Sequence, residues 1–487
     1  MKRHEWPFLD AMWRWAGYTA DAGWTQSAGR AAIGRVREAR LARLLHWTLR
    51  HSAFYREQWA GADPRALRLA DLPPVHKADL MANFDDWVTD PAVTRGGVER
   101  FVADRARIGE PFLGRYAIFS SSGTTGVPGL IVQDADALAV YDALGAVRMG
   151  ALSPAWNWRA PLAGNRYALV AATEGHFAGV VGWERLRALH PWFAANACVI
   201  PVTAPLREIC AALERFRPTV VASYATVLRA LAHEKDAGRL ALSPSVLWYG
   251  GEWLAPLSRD HIERAFGCRV AGDYGASEFP DIAFECAHGA LHVNEDWAVL
   301  EPVDEHYRPV PPGTPSASVL LTNLANRVQP LVRYELGDSV TFVSKPCPCG
   351  SPLPVIRVDG RRDEILRLHD DRRREVPVLP MALCTALEEG SGVHRFQVVQ
   401  AGPRAMRVRV ETAADAARVR RALDRFLVDQ GLSGVSVRIE TGAIDAHPVS
   451  GKFRQVWREK QQPPPGRGTS TASRRRAGNS RPARSAT

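Results

Sequence analysis

From about residue 167 the sequence alternates short apolar runs with helical stretches, and few architectures accommodate that alternation. ALVAAT (168–173), ACVIPV (197–202), TVVASY (219–224), SVLWYGG (245–251) and CRVAGDYG (268–275) read as strands. Between them PLREICAALERF (205–216) and TVLRALAHEKDAG (226–238) read as helices, the second closed by Gly238. Repeated β-α-β units build a largely parallel sheet with helices on its faces. The expected fold class is therefore α/β.

Two further regions differ in pattern. Residues 35–59 read as one helix, with Leu41, Leu44, Leu45 and Leu49 along a stripe that runs into HSAFYREQW. After Arg361 the chain reads as a β-β-α-β unit, whose helix over 414–430 aligns Val419, Leu423, Phe426 and Leu427 and stops at Gly431. This is the pattern of a separate small α+β domain. Residues 461–487 hold six arginines, four prolines and no acid, and they have almost nothing to bury. The expected organisation is 1–361 for a large N-terminal domain, 362–460 for a small C-terminal domain and 461–487 for a disordered basic tail.

Composition matters here through charge and cysteine. The formal net charge is +10, and it falls to +4 without the tail, so a nucleic-acid-binding body is not expected. No apolar run reaches the roughly 18 residues that cross a bilayer, and Met1–Tyr18 interrupts its aromatic residues with Arg3, Glu5, Asp10 and Arg14. Seven cysteines argue for a reducing compartment, so the expected location is the cytoplasm. Cys198, Cys210, Cys268 and Cys384 stand singly among apolar residues and read as core.

The sharpest chemical signal is FSSSGTTGVPG, Phe119–Gly129, directly after the apolar YAIF. Glycines let a loop turn its N–H groups onto phosphate oxygens, and the hydroxyls of Ser121, Ser122, Thr124 and Thr125 add donors. No Gly-Lys-Ser/Thr follows, so this is not a Walker A loop. SSGTTG resembles the phosphate loop of the adenylate-forming superfamily, which includes the acyl-CoA and aryl-CoA ligases. YGASE (274–278), RYELGD (333–338), GRRDEI (360–365) and SGKFR (450–454) resemble four further motifs of that superfamily, in its order. HSAFYREQW, GGE (250–252) and a Cys/His cluster resemble the phenylacetate–CoA ligase branch, which also holds capsule-locus adenylating proteins.

The resemblance implies a fold and a set of roles. The fold is a large multi-sheet α/β domain with a small mobile α+β domain. Ser121, Ser122, Gly123, Thr124, Thr125 and Gly126 would bind phosphate, with Gly250, Gly251 and Glu252 at the nucleotide. Tyr274 would lie against adenine, beside Gly275, while Ser277 would reach the α-phosphate. Glu278 would hold Mg²⁺, a hard ion that prefers carboxylate and phosphate oxygen. Asp338 and Arg361 would contact the ribose, Asp363 would be the hinge, and Lys452 would be the catalytic cation. Superfamily phosphate loops commonly carry a lysine in or after TTG; Val127 and Gly129 stand there instead.

A second constellation is Cys286, His292, Cys347 and Cys349, with His288 the weaker alternative to His292. A Cys-x-Cys-Gly turn aims two thiolates at one ion. The resemblance implies structural Zn²⁺, since three thiolates and an imidazole leave no position for water. His176 and Tyr224 follow strands and are candidates for the acyl pocket.

The expected activity is ATP-dependent adenylation of a carboxylic acid, with an aromatic acid as first choice, and then thioester formation with CoA or a carrier-protein phosphopantetheine. The alternative within the family is an adenylyltransferase without a thiol step. A non-enzymatic scaffold or nucleic-acid binder acting through the tail is more remote. Expected cofactors are ATP, Mg²⁺, the thiol and Zn²⁺. Expected partners are the small-molecule acid, an acyl carrier protein and a second copy of the chain, and no membrane.

Overall fold

The computed structural model describes residues 6–63, 67–121, 129–149, 164–202, 204–361, 365–378, 380–393, 395–444 and 455–459. The loop interior Ser122–Gly126, the hinge candidate Asp363, the catalytic-lysine candidate Lys452 and the whole tail lie outside them.

Helices Phe8–Ser27, Arg30–His51 and Ala53–Gln58 open the fold. The single helix expected over 35–59 is thus two, broken at Ser52. That residue is extended (φ −102°, ψ 120°), and its hydroxyl accepts a hydrogen bond from the Tyr55 N–H. Serine competes for backbone donors and caps a helix more readily than it continues one. The leucine stripe is as read: Leu41, Leu44 and Leu45 are buried.

A nine-stranded mixed sheet organises the large part of the chain. Its parallel half is Ala197–Pro201, Tyr167–Ala171, Val220–Ser223, Val246–Tyr249 and Arg269–Ala276, in that spatial order. The five strands expected from the sequence are these five, each within two residues at either end. Helices Leu206–Phe216, Ala225–Asp236 and Pro256–Phe266 lie between them in sequence. Gly238, at φ +68°, follows the second helix in a conformation that costs glycine no strain. The chain leaves Tyr167–Ala171 toward one neighbour and returns on its other side. That places a topological switch between Tyr167–Ala171 and Val220–Ser223, the point where open α/β sheets bind ligands.

The antiparallel half continues through Phe279–Glu285, Leu291–Val293, Val355–Arg361 and Asp338–Val343. These strands did not stand out in the sequence, because buried polar residues such as Glu285 and His292 interrupt the apolar pattern. A two-stranded ribbon, Ala117–Ser120 with Leu130–Gln133, flanks the Ser/Thr/Gly loop in sequence.

Residues 366–459 gather a second hydrophobic cluster. Strands Ser436–Thr441, Ala405–Val410, Phe396–Gly402 and Val456–Arg458 form its sheet. Helix Ala413–Asp429 buries Val419, Leu423, Phe426 and Leu427, the face read from the sequence. Each such side chain contributes about 1.5–3 kcal/mol when removed from water. The strand Val456–Arg458 was not expected. It pairs in parallel with Val398–Gln400, and Val398 N donates to Gln455 O at 2.8 Å, so the chain just after SGKFR is tied into this sheet. Among the described residues no helix is long and apolar enough to cross a membrane.

Candidate functional site

The carboxyl end of Arg269–Ala276 carries YGASE, and its geometry follows from a tight hairpin. A Cβ on Gly275 would lie 1.7 Å from the Pro280 carbonyl oxygen, so only glycine fits there. Gly275→Ala should therefore displace the motif and destabilise the fold. Thermal melting checks this, and an unchanged melting temperature would show that the hairpin yields.

The hairpin positions Tyr274 so that its hydroxyl donates to Asp338 Oδ2 at 2.7 Å, across 64 residues of sequence. Asp338 in turn sits opposite Arg361 in the antiparallel register of Asp338–Val343 with Val355–Arg361. Three motif residues far apart in sequence are thus brought together, Tyr274 by its hydrogen bond to Asp338 and Arg361 by strand register. Glu278 is buried at 7% exposure, and Tyr334 Oη donates to its Oε1 at 2.7 Å. Asn323 Nδ2 donates to the Glu278 carbonyl and Gln133 Nε2 to the Ser277 carbonyl, 2.9 and 3.0 Å respectively. Tyr334 was within view, inside RYELGD, but its role as the partner of Glu278 was not.

Gly250 lies where a side chain would meet Asp273, because a Cβ there would be 3.2 Å from Asp273 Oδ1. The same oxygen accepts from Trp248 Nε1 at 2.5 Å, and burial pushes the Asp273 carboxyl up to about 7. Gly251 has φ +71°. Glu252 binds at a helix start: its Oε2 accepts from Thr226 N at 2.9 Å and Thr226 Oγ1 at 2.8 Å. It satisfies one N–H at the start of Ala225–Asp236, where Tyr224 makes no side-chain cap.

At the phosphate loop only the neck is described. Ser121 N donates to Gly129 O at 2.9 Å, and Gly129 N donates to Ser121 Oγ at 2.8 Å. A residue absent from the sequence reading arrives here: Lys77, from helix Lys77–Ala82, donates through Nζ to Ser121 Oγ at 2.8 Å. A Cβ on Gly129 would stand 3.0 Å from Lys77 Cε. The glycine in the place of a lysine thus makes room for a lysine from elsewhere. No spacing signal announces it, because 44 residues separate Lys77 from Ser121.

His176 and Tyr224 follow the two strands that border the topological switch. His176 is 1% exposed, its ring packs against Phe101, its Nε2 lies 3.2 Å from Asp104 O, and burial lowers its pKa. Its carbonyl accepts from Ser120 N at 2.6 Å, which ties it to the ribbon before the loop. Tyr224 Oη accepts from Ala172 N at 3.3 Å.

The Cys/His cluster converges. The ligand atoms of Cys286, His292, Cys347 and Cys349 all lie within 4.8 Å of one another. Cys286 Sγ is 3.6 Å from Cys347 Sγ, and Cys349 Sγ is 3.3 Å from His292 Nε2. His292 Nδ1 donates to Leu353 O at 2.9 Å, leaving Nε2 as a lone-pair ligand, and burial keeps the ring neutral by lowering its pKa. Burial opposes ionisation of Cys347, but hydrogen bonds from Cys349 and Cys286 outweigh it and lower that pKa. Burial pushes Cys349 up to about 11. The donor set fits a tetrahedral zinc site. Of the other cysteines Cys210 and Cys384 are buried, while Cys198 and Cys268 are half-buried.

No protein-family model matches the chain. A stretch of 160 residues is 28% identical to Protein CapK of Staphylococcus aureus, covering 32% of this chain and 34% of that one, so the match spans about a third of the relative's length. A 2-hydroxyisobutyryl-CoA ligase solved in the postadenylation state superposes with TM-score 0.66 at 20% identity, over 90% of this chain and 91% of that chain. The same ligase in the thioesterification state gives 0.54 at 21% identity, again over 90% and 91%. An anthranilate CoA ligase bound to anthranoyl-AMP gives 0.50 at 16% identity, over 69% and 65%. The chain has the fold of the adenylate-forming ligases.

Proposed function

We propose that this chain is an ATP-dependent adenylating enzyme acting on a carboxylic acid. The observation that carries the reading is the contact of Tyr274 with Asp338, which lies opposite Arg361 in strand register. In this reading the Asp338 carboxylate accepts the ribose hydroxyls, and Tyr274, fixed by its bond to Asp338, walls the adenine. The carboxylate oxygen of the acid attacks the α-phosphorus, the bond to the bridging oxygen breaks and pyrophosphate leaves. The thiol of CoA or phosphopantetheine then attacks the acyl carbon and AMP departs, leaving a thioester. An aromatic acid is the first choice, with Tyr224 near the acyl group.

Mg²⁺ carried in with ATP would neutralise charge on the phosphate oxygens. Glu278 suits it, because Tyr334 orients one carboxylate oxygen and Mg²⁺ sites commonly use one or two carboxylates with phosphate. We place the domain boundary near Arg361, with Asp363 as hinge and Lys452 on the mobile side. Pyrophosphate release with a panel of aryl and aliphatic acids tests the reading, and no release with any acid would overturn it. AMP release that is independent of added thiol would favour the adenylyltransferase alternative.

We further propose that Cys286, His292, Cys347 and Cys349 hold structural zinc. Protein prepared without chelator should contain about one zinc per cluster, and Cys349→Ser should lower the melting temperature by about 5–10 °C while ATP binding persists. Elemental analysis without metal would remove the site. The tail follows a different logic. Residues 461–487 hold no large apolar side chain to contribute to a core. A chain ending at Lys460 should keep its melting temperature and its adenylation rate, and loss of adenylation alone would show that the tail reaches the site.

A further inference from the structure

We propose that His233, Asp236 and His261 form a second metal site, for a divalent cation of the zinc, nickel and copper group. His233 and Asp236 stand three residues apart on the last turn of helix Ala225–Asp236, which puts both on one face. His261 comes from helix Pro256–Phe266. One ligand atom from each lies within 4.8 Å of the other two. The two imidazole rings are 4.6 Å apart at 49°, and His261 Nε2 is 2.6 Å from Asp236 Oδ2.

The backbone that presents these donors is rigid. Leu228, Leu231 and Ala232 of one helix and Ile262 and Phe266 of the other are buried in the same apolar cluster. Two imidazoles and one carboxylate suit the borderline divalent ions, whereas Mg²⁺ and Ca²⁺ take oxygen donors. Asp236 and His233 are exposed, so an ion reaches the site from solvent, and water completes its coordination. A metal here staples the last, outer turn of one helix to the middle of the other. Glu252 binds the inner end of one through Thr226 and lies four residues before the start of the other. The site therefore acts on the scaffold that holds the GGE segment, and no part of the adenylation reading depends on it.

The test compares the full-length chain with His233→Gln, His261→Gln and the double variant, all of which retain the Cys286 cluster. Calorimetric titration with Ni²⁺ should give one more bound equivalent for the wild type than for the double variant. The wild-type melting temperature should rise with Ni²⁺ by an increment that the double variant lacks. Titration with Co²⁺ adds a spectroscopic signature: the extra equivalent should lack the thiolate-to-metal charge-transfer band that cobalt shows on cysteine sulfur. Equal stoichiometry in wild type and double variant would overturn the site and leave the His261–Asp236 contact as a simple hydrogen bond. So would an extra equivalent that carries the thiolate band.

Discussion

Lys452→Ala should lower the rate of adenylate formation by about 10³-fold while changing the KM for ATP little. Charge builds on the attacking carboxylate, the α-phosphoryl oxygens and the leaving pyrophosphate as the bond to phosphorus forms. A lysine that arrives only for that step stabilises the transition state more than bound ATP, so its loss falls on kcat. The sequence around it supports such an arrival. SGKFR ends just before Val456–Arg458, which is paired into the small sheet. The thioester step supplies the internal control. Presented with preformed acyl-adenylate and thiol, the variant should form thioester at close to the wild-type rate, because no phosphorus bond is made. Pyrophosphate release at the wild-type rate would remove Lys452 from the mechanism. Equal loss of both half-reactions would point to a folding defect instead.

What the sequence revealed and what it hid divide along a physical line. The five parallel strands were legible because each reads as a short, largely apolar run bounded by turns, and Tyr167–Ala171 and Val220–Ser223 are buried throughout. The helix Ala413–Asp429 was legible because one face alone is buried. The antiparallel half of the large sheet was not, since its strands carry buried charged and polar groups such as Glu285, His292, Ser339 and Asp359. Each of those has a partner distant in sequence. Glu285 lies 2.8 Å from Arg259, and Thr341 donates to Asp359. The site shows the same division. Motif residues were found by pattern, and Tyr274 with Asp338 turned out to touch. Their supporting residues, Tyr334 on Glu278 and Trp248 on Asp273, follow no local pattern and become visible only when the sheet brings them together.

Lys77 is the sharpest case, and Lys77→Met should weaken ATP and pyrophosphate together. The phosphate loop has no lysine of its own, yet a cation is needed where charge leaves on pyrophosphate. At about 4 Å a unit charge interacts with another by roughly 1 kcal/mol in water and about 4 kcal/mol at a partly buried site. Removing Lys77 should therefore lower kcat/KM for ATP by about 10-fold to 10³-fold, and Lys77→Arg should restore most of it. A purely structural role predicts something else. The neck of the loop stays closed without Lys77, because Ser121 N to Gly129 O and Gly129 N to Ser121 Oγ form a reciprocal pair. The fold should accordingly keep its melting temperature. The deciding measurement is nucleotide selectivity. AMP carries no β- or γ-phosphate, so its affinity should be the same in wild type and Lys77→Met, whereas affinity for ATP and inhibition by pyrophosphate should both fall. A variant that loses AMP and ATP affinity equally would show that Lys77 shapes the loop rather than meeting the leaving group. Unchanged affinity for all three would show that Gly129 makes room for a lysine that the reaction never uses.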